Sequence, residues 1–131
     1  MAEGYLRRML GPDTSIESAG IETGEGLPPT NEAVLTMREL GLEISDHRSR
    51  EIASLTLQNF DLVIAMTPQV GNELRSRGVD LSRLVVLNVP DPYGQGMDAY
   101  RIAAAQIRTQ LGCIFGIEDN SWLQGGQTCG R

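Results

Sequence analysis

The stretch Asp61-Leu62-Val63-Ile64-Ala65-Met66-Thr67-Pro68 decides the fold. Its continuous apolar run predicts a strand of the kind that a parallel sheet buries on both faces. Thr67 and Pro68 are typical of the N-cap and the first position of a helix, so we expect a helix to follow at once and to run to about Arg77. A buried strand that leads directly into a helix is the repeating unit of α/β proteins.

The rest of the chain alternates in the same way. Apolar residues at helical spacing predict three more helices, each followed by a glycine, at 1–10, about 30–40 and 97–111, the last closed by Gly112. Short apolar runs predict two further strands, at 15–19 and 84–88. We therefore predict an α/β fold, a three-layer, doubly wound parallel sheet to which this sequence contributes three strands.

Composition limits the class of protein. The 131 residues predict one domain, at 1–117, followed by a polar, glycine-rich tail at 118–131. The net charge is −6 and the acids and bases are interspersed, which argues against a nucleic-acid surface. No apolar run approaches the roughly 20 residues of a membrane helix, and no secretory leader is visible. We predict a cytoplasmic protein that binds neither nucleic acid nor membrane.

Cysteine and histidine usage gives no sign of a metal or a cofactor. Cys113 and Cys129 are the only cysteines, and His47 is the only histidine. One pair of distant cysteines is not a disulfide framework, and no Cys-x-x-Cys or histidine cluster suggests zinc. We interpret both cysteines as free thiols in a reducing compartment, and we predict no metal and no cofactor.

The loop Val89-Pro90-Asp91-Pro92-Tyr93-Gly94 contains the one candidate acid at a strand end. Its prolines fix their own backbone angles and favour extended conformations in the residues before them. Asp91 is then held at the carboxyl end of a buried strand, where open α/β sheets bind ligands. The same residues are compatible with an ordinary turn. In the ligand interpretation Asp91 is a general acid or base, and a bound phosphate would favour its protonated form.

No nucleophile accompanies this acid. Ser18 and Thr67 follow other strands, but neither has an evident base, and Thr67 is better explained as a helix cap. His47 beside Asp46 could complete a Ser-His-Asp set, although a histidine that bonds loop backbone is the simpler interpretation. Neither cysteine has a neighbouring cation or helix N-terminus to activate it.

Five motifs occur in an order that resembles one known family. They are Met1-Ala2-Glu3-Gly4, Ser18-Ala19-Gly20, the run from Gly41 to Arg50, the run from Phe60 to Thr67, and Asp91-Pro92-Tyr93-Gly94. In this order they resemble the low molecular weight protein-tyrosine phosphatases, over Met1 to about Leu111. The last two motifs look most like those of bacterial members, some of which act on phosphoarginine in proteins.

The resemblance implies a role for several residues. Asp91 resembles the general acid, which protonates the leaving group and then activates water as a base. Tyr93 resembles an aromatic wall of the substrate cleft, while Ser18 and His47 resemble members of the hydrogen-bond network behind the phosphate loop. The loop at 23–24 stands where eukaryotic members have a second aromatic wall. The implied partner is a phosphorylated protein, carrying phosphotyrosine or phosphoarginine.

The family's nucleophile has no counterpart in this sequence. In the family a Cys-x5-Arg-Ser loop precedes the segment that matches Met1, and an inner strand (sheet order 2-1-3-4) precedes that loop. The resemblance therefore implies that the chain as printed lacks its first strand and is inactive, and that the full protein starts upstream. The alternative is a non-catalytic protein that keeps the scaffold and binds a partner. Arsenate reductases share the fold but use two more cysteines, and 67–89 contains none.

Overall fold

The structure is a computed structural model, and it describes residues 1–21 and 24–116. From α2 onward, helices and strands alternate as predicted. In chain order the elements are α1 (Ala2–Leu10), α2 (Asn31–Glu39), β1 (Val63–Ala65), α3 (Pro68–Ser76), β2 (Leu84–Val86) and α4 (Met97–Phe115), with 3₁₀ turns at Ile52–Ser54, Leu57–Asn59 and Leu81–Arg83. None of the helices in these ranges is long and apolar enough to cross a membrane.

β1 and β2 form a parallel pair. Backbone pairing continues past the end of β2, because the Leu87 N–H donates to the Ala65 carbonyl at 2.7 Å and the Val89 N–H donates to the Met66 carbonyl at 2.9 Å. The chain is thus held to β1 until two residues before Asp91.

Helices cover both faces of this pair. Ile64 and Val85 pack into the main core, which α1, α2 and α4 build around buried side chains such as Tyr5. On the other face, Ala65 packs into a second core with Leu74 of α3. Because neighbouring residues of one strand face different cores, the strand is apolar throughout. The predicted three-layer α/β arrangement is confirmed.

The predicted strand at 15–19 is wrong. A single parallel bridge forms near it, where the Gly20 N–H donates to the Arg50 carbonyl at 2.8 Å and the Gly20 carbonyl accepts from the Ile52 N–H at 2.9 Å. A strand needs a continuous ladder of backbone partners, and within the described ranges this segment has only that bridge. The sheet of the described residues accordingly has two strands.

The last helix is longer than predicted. Gly112 was expected to close it, but α4 continues to Phe115 and ends at Gly116, whose φ is 65°. Glycine permits a helix end without enforcing one. Ile114 and Phe115 pack against the main core, which favours the additional turn. The predicted boundary after residue 117 and the predicted tail lie outside the described residues.

The free-thiol prediction is wrong for Cys113. This residue lies in the last turns of α4 and is disulfide-bonded. Cys129 lies outside the described residues. The prediction rested on the large separation of the two cysteines in the sequence, which does not limit their separation in a folded chain. The inference of a reducing compartment from these thiols therefore loses its basis.

Candidate active site

A cleft of about 990 Å³ opens where the segment at 16–20 and the ends of the two strands meet. All four residues predicted for the site, Ser18, His47, Asp91 and Tyr93, line it. They come from three separate loops, so the fold brings together positions that lie far apart in the sequence. A cleft at the carboxyl ends of parallel strands is the usual ligand site of an open α/β sheet.

Asp91 is exposed at the rim of this cleft, in a loop that bonds to itself. Its Oδ1 accepts a hydrogen bond from the Tyr93 N–H at 3.0 Å, and its carbonyl accepts one from Gln95 Nε2 at 3.1 Å. The second carboxylate oxygen makes no hydrogen bond to another described residue and can meet a ligand from solvent. A carboxylate in this position can exchange a proton with a bound group.

Tyr93 is the most exposed large apolar side chain of the described residues, with 72% of its surface accessible. Its backbone is fixed by the hydrogen bond to Asp91, while its ring is left to solvent at the cleft edge. Aromatic rings in such positions offer a face for stacking against a ligand.

Glu3 links the other two predicted residues, and sequence reasoning gave it no role of its own. Its Oε1 accepts a hydrogen bond from the Ser18 hydroxyl at 3.0 Å, and its Oε2 lies 3.4 Å from His47 Nδ1 and 3.4 Å from Arg7 Nε. Glu3 also lies in the first turn of α1, where the helix dipole stabilises a negative charge. The only sequence signal for it was its place in the motif Met1-Ala2-Glu3-Gly4.

The structure agrees with the simple interpretation of Thr67 as a helix cap, but it differs from the simple interpretation of His47. Thr67 accepts a hydrogen bond from the Val70 N–H at 3.3 Å, so it caps α3 as predicted. His47 directs Nδ1 at Glu3, whereas we expected its side chain to bond loop backbone. The Ser-His-Asp set with Asp46 is therefore not what the structure assembles.

The arginines of the cleft are already engaged. Arg50 Nη1 lies 2.9 Å from the carboxylate of Glu17. Arg48 Nη1 donates to the carbonyls of Ser45 and His47 at 2.9 and 2.8 Å. Both sets of contacts use Nη1, so the other N–H groups of each guanidinium have no partner in these contacts.

Glu43, at one wall of the cleft, is an ionised carboxylate paired with Arg38. Its carboxylate accepts hydrogen bonds from Arg38 at 2.7 and 3.0 Å and from the Ser45 N–H at 3.2 Å. The hydrogen bond from Arg38, followed by that from Ser45, lowers the pKa of Glu43 to about 2. The charge therefore persists at every pH at which the protein is expected to work.

A loop at the cleft rim is clamped by Ser49 and Glu51. The Ser49 hydroxyl donates to the Gly24 carbonyl at 2.6 Å and accepts from the Leu27 N–H at 2.9 Å, and the Glu51 carboxylate accepts from the Gly24 N–H at 3.2 Å. This loop follows Thr23, one of the positions at which eukaryotic members of the resembled family have a second aromatic wall. Thr23 itself lies outside the described residues.

Metal and thiol chemistry find little support in the part of the chain that the structure describes. No group of three or more His, Cys, Asp or Glu side chains there could hold a metal ion. Cys113 is absent from the residues that line the cleft.

Comparison of the whole sequence identifies related proteins. The family model described as low molecular weight phosphotyrosine protein phosphatase matches residues 1–118. The probable low molecular weight protein-tyrosine-phosphatase EpsP of Ralstonia solanacearum is 30% identical, over 82% of this chain and 79% of its own. An arsenate reductase of Staphylococcus aureus is 39% identical, but over only 50% of this chain and 48% of its own.

Solved structures share the fold. The low molecular weight protein tyrosine phosphatase from T. tengcongensis matches with a TM-score of 0.77 at 29% identity, covering 88% of this chain and 87% of that one. The YwlE arginine phosphatase from Geobacillus stearothermophilus matches with a TM-score of 0.74 at 21% identity, covering 95% and 89%. At 21% identity, the match to the arginine phosphatase shows a shared fold and nothing further.

Proposed function

The chain belongs to the low molecular weight phosphotyrosine protein phosphatase family, and from that membership we propose that it serves to hydrolyse a phosphorylated side chain of a protein, with Asp91 as general acid. The observation that carries this proposal is the cleft. Asp91, Tyr93, Ser18 and His47, the four residues that match functional positions of the family, all line it. They come from three loops that lie far apart in the sequence.

The proposed chemistry has two steps. A cysteine thiolate attacks phosphorus, so that an S–P bond forms while the bond to the leaving oxygen or nitrogen breaks, and Asp91 gives its proton to that leaving atom. Asp91, now a carboxylate, then takes a proton from water as the water attacks phosphorus, so that an O–P bond forms while the S–P bond breaks, which releases inorganic phosphate and restores the thiolate. Its exposed position at the cleft rim suits both exchanges.

The remaining residues of the site support binding. The exposed ring of Tyr93 provides a face against which the substrate side chain can stack. Ser18 and His47, joined through Glu3, support the wall of the cleft that faces the phosphate. We propose that all three set substrate affinity and geometry, and that none of them forms a bond with phosphorus.

We propose that the thiolate is supplied by a segment outside these 131 residues. They contain no Cys-x5-Arg-Ser, and Cys113 is disulfide-bonded and does not line the cleft. We therefore propose that this chain alone turns over no phosphate ester. The test is the intact mass of the native protein, together with the coding sequence upstream of Met1. An in-frame strand and Cys-x5-Arg-Ser loop would support the phosphatase. A native protein that begins at Met1 and unfolds cooperatively would instead favour the non-catalytic binding protein.

The substrate is proposed as phosphotyrosine or phosphoarginine. Tyr93 suits an aromatic ring, and membership of the family is consistent with either substrate. Arsenate reduction is disfavoured, because the chain has no cysteine between Thr67 and Val89. The loop at 23–24, where the resemblance places a second aromatic wall in eukaryotic members, consists of Thr23 and Gly24 and has no aromatic side chain. Rates on a phosphotyrosine and a phosphoarginine peptide of the same sequence would separate the two. The cytoplasmic location stays a prediction.

A further inference from the structure

The side-chain amide of Gln110, in α4, holds both backbone groups of Asn88. The Asn88 N–H donates to Gln110 Oε1 at 2.9 Å, and Gln110 Nε2 donates to the Asn88 carbonyl at 3.3 Å. One amide thus offers an acceptor and a donor to a single residue on the outer side of β2, as a neighbouring strand would. We infer that Gln110 is a positioning residue, which fixes the loop that carries Asp91.

The three residues that precede this loop are held from two sides. Leu87 and Val89 donate their N–H groups inward, to the carbonyls of Ala65 and Met66. Asn88, between them, directs its backbone groups outward to Gln110. The segment can therefore neither slide along β1 nor rotate about its own axis without breaking a hydrogen bond. Pro90 then has a fixed φ of its own and restricts Val89 before it.

The loop beyond this segment is held together by its own hydrogen bonds. The Tyr93 N–H and the Gln95 side chain both bond to Asp91, and the Gln95 N–H donates to the Pro92 carbonyl at 3.0 Å. Its internal shape is therefore set by the loop itself. The position of the loop relative to the cleft is set by segment 87–89, because this segment is anchored to the strand. Gln110 provides the outer half of that anchor.

Asn88 is exposed, so water can replace the amide when Gln110 is changed. The expected effect is a loss of order in the loop, with the fold intact. This inference rests on the proposed function, since only there does the place of Asp91 matter for a reaction. Backbone order can be measured without turnover, so the anchor and the phosphatase function can fail separately.

The test compares Gln110→Ala and Gln110→Met in the 131-residue chain by ¹⁵N relaxation. Methionine keeps the length of the side chain and removes both hydrogen bonds, which separates packing from bonding. Gln106→Ala, one turn earlier in α4, is the matched control. We expect the backbone order parameters of Tyr93 and Gly94 to fall from about 0.85 to about 0.6 in both variants, and to stay unchanged in the control. The order of Ile107 should not change in any of them.

Three results would overturn the inference. Unchanged order at Tyr93 and Gly94 in both Gln110 variants would mean that the amide only closes the edge of the sheet. An equal loss at Ile107 would mean that the change is global and that Gln110 has no particular effect on the loop. Retained order in Gln110→Met with a loss in Gln110→Ala would assign the role to packing, which also contradicts the proposed anchor.

Discussion

The Ser18 hydroxyl donates a 3.0 Å hydrogen bond to the carboxylate of Glu3, across fifteen residues of sequence. The bond ties the segment at 15–19 to the first turn of α1. The other oxygen of the same carboxylate faces His47. One side chain with 19% of its surface exposed therefore connects three separate parts of the cleft wall.

The first prediction concerns this link. Glu3→Ala should lower the free energy of unfolding by about 1–3 kcal/mol, because it leaves the Ser18 hydroxyl and the His47 imidazole without their partner. Urea denaturation measures the loss. Glu73→Ala is the matched control, since it removes an exposed ion pair with Arg77 one helical turn away and should cost about 0.5 kcal/mol or less. Equal losses in the two variants would contradict the linking role.

The second prediction concerns alkaline pH. Burial raises the pKa of Tyr5 to about 12, with the positive charge of Arg108 opposing the shift. In the unfolded chain a tyrosine loses its proton near pH 10, so between pH 10 and 12 the folded state binds more protons than the unfolded state. Stability from this source is complete below pH 10 and falls by about 2–3 kcal/mol as pH rises through 12.

The test is urea denaturation from pH 8 to 12 for the natural sequence and for Tyr5→Phe. The difference in stability between the two proteins should move in favour of Tyr5→Phe above pH 10, because phenylalanine has no proton to lose. A difference that stays constant over the whole range would show that Tyr5 does not titrate with this shift.

The third prediction concerns the contact of α3 with the sheet. A Cβ built on Gly71 would lie 2.8 Å from a methyl group of Val86, and Gly71 has helical backbone, where alanine is otherwise favoured by about 1 kcal/mol. We expect Gly71→Ala to destabilise the natural protein by about 1–3 kcal/mol. In a Val86→Ala background, where the clash is absent, the same change should stabilise it. Thermal melts of the four proteins measure both effects, and the same sign in both backgrounds would refute the clash.

Local signals explain what the sequence predicts well. The apolar run before Thr67 identifies β1, and the Thr67-Pro68 pair identifies the start of α3, because a cap and a first-turn proline act on their immediate neighbours. The cleft was predicted for the same reason. β1 leads to Thr67 and β2 leads to Asp91. Because the two strands are parallel, both residues must lie at the same edge of the sheet.

The features that the sequence does not predict depend on residues that are distant from one another in the chain. The segment at 15–19 has a strand-like pattern, but a strand also needs a ladder, which depends on other parts of the chain. Glu3 and Gln110 look like ordinary helix-surface residues, and only the folded chain brings them to Ser18 and to Asn88. The same holds for Cys113, because the spacing of cysteines along the chain does not show whether they form a disulfide.

The most direct test of the account is hydrolysis of an aryl phosphate by three proteins: the 131-residue chain, the same chain extended at Met1 by a strand and a Cys-x5-Arg-Ser loop, and the extended chain with Asp91→Asn. Asp98→Asn, an acid with 94% of its side chain exposed, is the control in the extended protein. We predict no hydrolysis by the first protein, turnover by the second, and a loss of about 10²- to 10⁴-fold with Asp91→Asn alone. Hydrolysis by the 131-residue chain itself, or an extended enzyme that is indifferent to Asp91→Asn, would contradict the account.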